Sequence, residues 1–310
     1  MGNLGATAGD GVAGVSPDGR RVAILNGFGR QIGDGVIGLQ ALEVALSRGL
    51  VARSPVLFRL PGLSPMVEAL HRASGIEIRE LPWSAGTPAV PFAPAHAFGR
   101  CIDIRDFAFD PDFLHLPMFD YFLRALGGDA AEVPAAERRN AWLLRRLRPA
   151  PMPGLRGHIL VCPRAANPMR SMPDDFHAVL LEALLAFGPV MTQGEVPPRL
   201  HGRVTSLEQV ATLEDLCGLV AAASWVVTTD TGMVHLADAM ERPCLAFFPT
   251  HEPELRVRDY PLCRAVRLDC PLPRQEFARG EEDIAIAQAA WMPPGWQAAL
   301  PGLLEASAPG

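Results

Sequence analysis

Thr228-Thr229-Asp230-Thr231-Gly232-Met233-Val234-His235 follows the apolar run Trp225-Val226-Val227 and precedes small and apolar residues through Met240. The run is apolar enough for a central strand, and the residues after the turn have helical spacing, so the stretch reads as a strand-to-helix turn. Asp230 and Thr231 are good N-cap residues, and Gly232 would let a ligand approach the backbone closely. The unpaired amides of such a first turn and the positive end of the helix dipole favour a phosphate group. His235, one turn on, could add a donor. Taken alone, Asp-Thr-Gly reads more readily as an ordinary capped helix whose Asp serves only its own backbone.

The pattern repeats outward from this turn. Toward the N-terminus, residues 21–26 form a short buried strand, a glycine-rich turn covers 27–35, and apolar residues at helical spacing run through Leu46. Strands follow at Pro55 to Leu60, Ile76 to Glu80 and Cys101 to Arg105, with a helix at Ser64 to Ala73 and a proline-rich loop at Pro82 to Pro94. Helices are expected at Met118 to Gly127 and Pro134 to Leu147, and the prolines of 148–154 mark a linker. The second half has strands at His158 to Cys162, Val190 to Thr192, Trp225 to Thr228 and Cys244 to Phe248. Helices lie between them at Pro173 to Phe187, Leu213 to Ala223 and Thr231 to Met240, and Glu282 to Trp291 could add one more. Such alternation predicts parallel sheets, here an α/β chain of two Rossmann-like, doubly wound domains facing a cleft. The boundaries read as a disordered segment 1–20, an N-terminal domain 21–150, a C-terminal domain 151–283, and a helix and tail 284–310.

Composition narrows the function. Apolar residues make up 49% of the 310, enough for a sizeable core. A net charge of −6 argues against nucleic acid as a partner, since such proteins neutralise phosphates with a basic surface. There is no Lys, so any side-chain cation that meets a phosphate must be a guanidinium. Six scattered cysteines without a C-x-x-C pair indicate neither a zinc site nor a disulfide framework. With no signal peptide and no membrane-length apolar run, a cytoplasmic protein is expected, and no cofactor is called for.

The string WVVTTDTGMVHLADAMERPCLAFF (225–248), with ILVCPRAANPMRSMPDDF (159–176) and more faintly GDGVIGLQAL (33–42), resembles the heptosyltransferase-like glycosyltransferases of family nine, which have the two-domain GT-B fold. The resemblance implies an inverting, metal-independent transfer of a heptose- or hexose-type sugar from a nucleoside diphosphate donor, with ADP-heptose first among the candidates. The acceptor would be a glycan, lipid-linked or protein hydroxyl, as in lipopolysaccharide biosynthesis. It further implies an acceptor-binding first domain, a donor-binding second domain, and diphosphate binding by Asp230, Thr231, Gly232 and His235.

Other residues acquire roles by the same route. Asp34 lies between two glycines where a loop enters a helix at the end of the first strand, and a carboxylate there could deprotonate an acceptor hydroxyl. The resemblance assigns it that role. On spacing alone an N-cap for a helix beginning near Val36 is equally good. Arg170 or Arg164 would supply the charge that meets the donor phosphates, with a solvated loop arginine as the alternative, and Glu195 would contact the nucleoside ribose, though on its own it reads more readily as a surface charge on a loop. The sequence departs from the family pattern at Cys162-Pro163-Arg164, at Met172 where the family has Trp, and at Phe248-Pro249-Thr250-His251, which lacks a Gly.

Two alternative functions stand beside this reading, and one basic stretch has two readings of its own. A non-catalytic relative would keep the fold and bind a sugar nucleotide. An NADP-dependent oxidoreductase would use Gly27-x-Gly29 and Arg59, though the glycine spacing is off by one. The basic amphipathic stretch Arg138 to Arg148 is either a packed helix with a solvated arginine face or a peripheral contact with the inner face of the bacterial inner membrane.

Overall fold

The computed structural model describes residues 21–26, 28–51, 54–81, 98–207, 210–273, 277–291 and 295–305. The N-terminal segment 1–20, the proline-rich stretch at 82–94 and Gly27 of the glycine pair lie outside them.

Strands β1 (Val22–Leu25), β2 (Val56–Arg59), β3 (Glu77–Glu80) and β4 (Arg100–Asp103) form a parallel sheet in the order β3-β2-β1-β4. The second sheet is parallel too. It is built from β5 (Ile159–Cys162), β6 (Val190–Thr192), β7 (Val204–Ser206), β8 (Trp225–Thr229), β9 (Cys244–Phe248) and β10 (Cys263–Arg267) in the order β10-β9-β8-β5-β6-β7. Its first strand, β5, lies inside the sheet, and the order reverses between β5 and β8, the switch point of a doubly wound sheet. In the first sheet the order reverses between β1 and β4.

These strands are near-continuous apolar runs because both of their faces are covered. Val22 and Ile24 of β1 point to the core shared with the helices, while Ala23 and Leu25 point to a smaller cluster with Val56 and Phe58. In β9, Cys244, Ala246 and Phe248 share that first core, and Leu245 and Phe247 face the other side against Phe176 and Trp291. The core is continuous between the two halves: Val36, Leu123 and Trp142 belong to the same cluster as Val220, Val234 and Leu236.

The helix that joins the halves is α1 (Ile32–Ser47), buried on almost every side. It packs on α2 (Pro65–Ala73), α3 (Met118–Ala125) and α4 (Ala141–Leu147) and on α7 (Gly232–Ala239) of the second half. A helix with no solvent face must be apolar all round, and three glycines in its first seven residues admit close neighbours. A β-carbon on Gly38 would lie 2.2 Å from the ring of Phe28, which is fully buried at φ 64°.

The remaining helices are α5 (Asp174–Leu184) and α6 (Leu213–Ala222), then α8 (Glu254–Val257), α9 (Glu281–Ala289) and α10 (Trp296–Glu305). The continuous helix expected over Pro134 to Leu147 is broken. Ala135–Arg138 is a 3-10 turn, and α4 starts only after Asn140, whose backbone and side chain are both drawn to Asp238 of α7. The apolar side of this stretch is used inside the protein: Trp142 and Leu143 are buried, and the indole N–H donates to the carbonyl of Val36 at 2.9 Å. Arg138 and Arg139 pair with Asp259 and Asp238 of the second half, which fits the packed-helix reading. Among the described residues no helix is long and apolar enough to cross a membrane.

Gly38→Ala tests the α1 packing. Helix propensity alone would favour Ala by about 1 kcal/mol. The clash with Phe28 should instead lower the unfolding free energy by about 1–3 kcal/mol in urea titration. A variant as stable as the parent would contradict the packing described.

Candidate active site

Ligands of doubly wound sheets bind beyond the C-terminal strand ends at the switch point, and here that edge carries the loops after β5 and β8. After β8 the chain enters α7 with Thr231 as N-cap, its hydroxyl accepting from the Met233 amide at 3.2 Å. Asp230 is therefore not the cap. Its buried carboxylate takes Arg170 at 3.3 Å and Nδ1 of His251 at 2.8 Å. Burial would raise the Asp230 carboxyl, but the charge of Arg170 and the hydrogen bond from His251 outweigh it and hold the group well below the usual carboxylate range.

Two threonines fasten the facing loop. Thr228 donates to the carbonyl of Cys162 at 3.2 Å, and Thr229 donates to the carbonyl of Arg170. Arg170 closes a 3-10 turn, Pro168–Arg170, capped by Asn167. Met169 and Met172 on either side of Arg170 are fully buried and anchor it. Met172, where the resembling family has Trp, thus keeps an apolar anchor at that point.

The first half contributes the opening turn of α1. Asn26 sits at φ 73° after β1 and donates to the carbonyls of Ile104 and Arg105, tying the two loops at the first switch point together. Gln31 precedes the helix without capping it, and Asp34 is its third residue, half-buried. Asp34 therefore does not cap a helix starting near Val36. An acidic residue in a first turn is favoured by the helix dipole. The turn abuts α7 directly: a β-carbon on Gly232 would lie 3.2 Å from the backbone nitrogen of Gly33, and one on Gly33 would lie 2.9 Å from the ring of His235. The small size of Gly232, expected to admit a ligand, admits α1.

Between these turns lies a cleft of about 210 Å³. Asp34, Arg164, Arg170, Asp230, Thr231, Gly232 and His235 all line it. Glu195 does not; it is exposed on the loop after β6. Arg164 is also exposed, paired with Asp174. His235 is buried, and burial pushes it down to about 4, so it is neutral near pH 7. Arg256 of α8, another lining residue, is buried with its guanidinium 5.2 Å from the centre of the Phe113 ring.

Arg256 and His251 escaped the sequence reading. Both follow the C-terminal end of β9, and in a chain without Lys every Arg beyond a strand end is a candidate. Asp110-Pro111-Asp112, the nearest Asp-x-Asp spacing, is used locally: Asp110 accepts from Tyr121 at 2.9 Å and Asp112 from Arg124 at 2.7 Å. Arg59, offered for a dinucleotide 2′-phosphate, pairs with Glu68 at 2.9 Å. Among the described residues no three His, Cys, Asp or Glu side chains converge as a metal-binding group.

Residues 156–264, which carry β5 to β9 and the start of β10, match the family model "Glycosyltransferase family 9 (heptosyltransferase)". No curated protein matches the chain. Among solved structures, E. coli heptosyltransferase WaaC with ADP is similar at 14% identity, covering 93% of this chain and 100% of that one, with a TM-score of 0.54. E. coli ADP-heptose lps heptosyltransferase II is 16% identical over 92% of this chain and 98% of that one, with a TM-score of 0.52. The dodecameric iron-containing glycosyltransferase TibC from enterotoxigenic E. coli is 13% identical over 95% of this chain and 77% of that one, with a TM-score of 0.61. The fold shared with them is the GT-B arrangement of two Rossmann-like domains facing a cleft.

Two of the buried histidines, His177 and His235, make stability fall on acidification. Burial pushes both His177 and His235 down to about 4, with Arg164 lowering His177 further. Their contribution is complete above pH about 6.5, the unfolded value, and is lost as pH falls through the window to about 4, because the unfolded chain takes up protons the folded one refuses. Each histidine should contribute a slope of up to about 1.4 kcal/mol per pH unit. His177→Gln, which keeps a hydrogen-bonding group beside Thr192, should remove about half of the two-histidine slope in denaturation titrations from pH 7 to 5. An unchanged slope would contradict the assignment.

Proposed function

We propose that this chain, whose residues 156–264 match the model of glycosyltransferase family 9, acts as a member of that family and transfers a heptose- or hexose-type sugar from a nucleoside diphosphate to an acceptor hydroxyl with inversion. ADP-heptose is the favoured donor. The acceptor class is a glycan, a lipid-linked sugar as in lipopolysaccharide biosynthesis, or a protein. The observation that carries the reading is the meeting of the first turns of α1 and α7 at one cleft, with Asp34 on one side and the Thr231-Gly232 amides on the other.

The roles divide by half. The diphosphate is bound at the N-terminus of α7, where backbone N–H groups and the dipole favour negative charge, and Arg170 and Arg256 add two cations in a partly dry site. These groups neutralise the leaving diphosphate without requiring a metal ion. Asp34 accepts the proton of the acceptor hydroxyl as its oxygen attacks the anomeric carbon. The new C–O bond forms on the face opposite the breaking bond to the phosphate oxygen, and the diphosphate departs with the electron pair. At about 210 Å³ the cleft is smaller than the roughly 300–1,000 Å³ of whole-ligand pockets, so it encloses the reacting ends and leaves the base and the distal acceptor outside. Excluding water there suppresses hydrolysis of the donor.

Thermal-shift measurements against a panel of nucleoside diphosphate sugars should reveal a stabilising donor. With that donor, Asp34→Asn should retain the shift and lose transfer by about 10²–10⁴-fold. Normal turnover in Asp34→Asn, or no shift with any nucleoside diphosphate sugar, would overturn the proposal.

A further inference from the structure

Behind the cleft wall runs a buried chain of polar groups: His235 on α7, Tyr260 just past α8, Asn140 at the entry to α4, and Asp238 back on α7. Nδ1 of His235 lies 2.8 Å from the Tyr260 hydroxyl, and Nδ2 of Asn140 lies 2.6 Å from the same hydroxyl. That nitrogen is also 3.1 Å from Oδ2 of Asp238, which takes the Asn140 amide at 2.9 Å as well. Arg139 donates to the other carboxylate oxygen at 3.0 Å.

The proton positions follow from donor and acceptor capacity. The Arg139 guanidinium and the Asn140 backbone N–H, whose identities do not depend on any side-chain flip, both donate to Asp238, and its carboxylate accepts. The Asn140 atom beside it must then be the amide nitrogen, which fixes the flip of that side chain. The nitrogen has no lone pair to offer Tyr260, so it donates its second proton to the phenol oxygen. Among the described residues the phenol has only these two hydrogen-bond partners. Its own proton therefore goes to Nδ1 of His235, which must be bare. Burial, with Asp238 nearby, pushes the Tyr260 phenol well up, so it keeps that proton.

We propose that Tyr260 and Asn140 are positioning residues that hold His235 as the neutral tautomer with its proton on Nε2, so that the cleft wall offers an N–H donor. The Nε2 edge lies against the first turn of α1, 3.4 Å from where a Gly33 β-carbon would stand, and His235 lines the same cleft as Asp34. The charged groups that act on the ring are Asp230, which favours its protonation, and Arg256 and Arg170, which oppose it. A neutral N–H at this point recognises an oxygen acceptor and cannot itself take a proton from the acceptor hydroxyl, which leaves that task to Asp34. The ligand atom assigned to it, a phosphate oxygen of a nucleoside diphosphate, rests on the function proposed above. The tautomer does not.

Nitrogen-15 spectra of the histidine side chains in the full-length protein test this. In the parent His235 should show a bare Nδ1 and a protonated Nε2 between pH 8 and 5.5. In Tyr260→Phe the proton should redistribute toward Nδ1, and the Kd for ADP measured by calorimetry should weaken about tenfold, the loss of one hydrogen bond to an anion. A protonated Nδ1 in the parent would overturn the proposal without recourse to any variant. So would a folded Tyr260→Phe protein with an unchanged tautomer. The expected redistribution with no ADP binding by either protein supports the relay and counts against the proposed function alone.

Discussion

The contact that organises this molecule is the approach of two helix N-termini across the domain boundary, α1 at Gly33 and α7 at Gly232. Each first turn presents unpaired amides and about half a positive charge, so bringing two together is unfavourable unless negative charge is supplied. The protein supplies part of it, with Asp34 in the first turn of α1 and Asp230 at the threshold of α7. A diphosphate between them would supply more. Glycine at both points makes the contact possible, since a side chain at either would push the helices apart or displace His235.

The same economy of charge shapes the cleft walls. Asp230 is buried with Arg170 and His251, an arrangement that seldom adds stability over an apolar one and is costly to break once present. Its effect is to fix Arg170 at the cleft while Met169 and Met172 lock the turn from both sides. Asp238 does the corresponding service near the far end of α7. It binds Asn140 and Arg139 of the first half and thereby stops the basic stretch from forming one continuous helix. The halves are joined by a common core and by buried polar links, so the geometry of the site is set by both.

Much of this was legible in the sequence where burial is complete. Val190 to Thr192 and Cys244 to Phe248 are strands at the residues read from their apolar runs, because interior parallel strands have no polar face to blur the signal. The two strands that went unread, β7 and β10, are the edges of the second sheet. β7 has one buried residue, and β10 carries Arg264 and Arg267 among five residues of which none is fully buried. The helix break at Asn140 was hidden because its cause lies 98 residues away in Asp238. Asp34, Arg170 and Asp230 could be foreseen at one cleft because each follows a strand end at a switch point. Arg256 sits on a single helical turn, His251 is defined by the carboxylate it meets, and the use of Gly232 depends on a helix far earlier in the chain, none of which leaves a local pattern.

On the function proposed, the junction of α1 and α7 is an anion site completed by a nucleoside diphosphate. A crystal structure of the protein with ADP tests it most directly. The diphosphate is expected on the amides of Thr231 to Met233, within reach of Arg170 and facing the turn that carries Asp34. A diphosphate bound elsewhere, with this turn in contact only with α1, would contradict it.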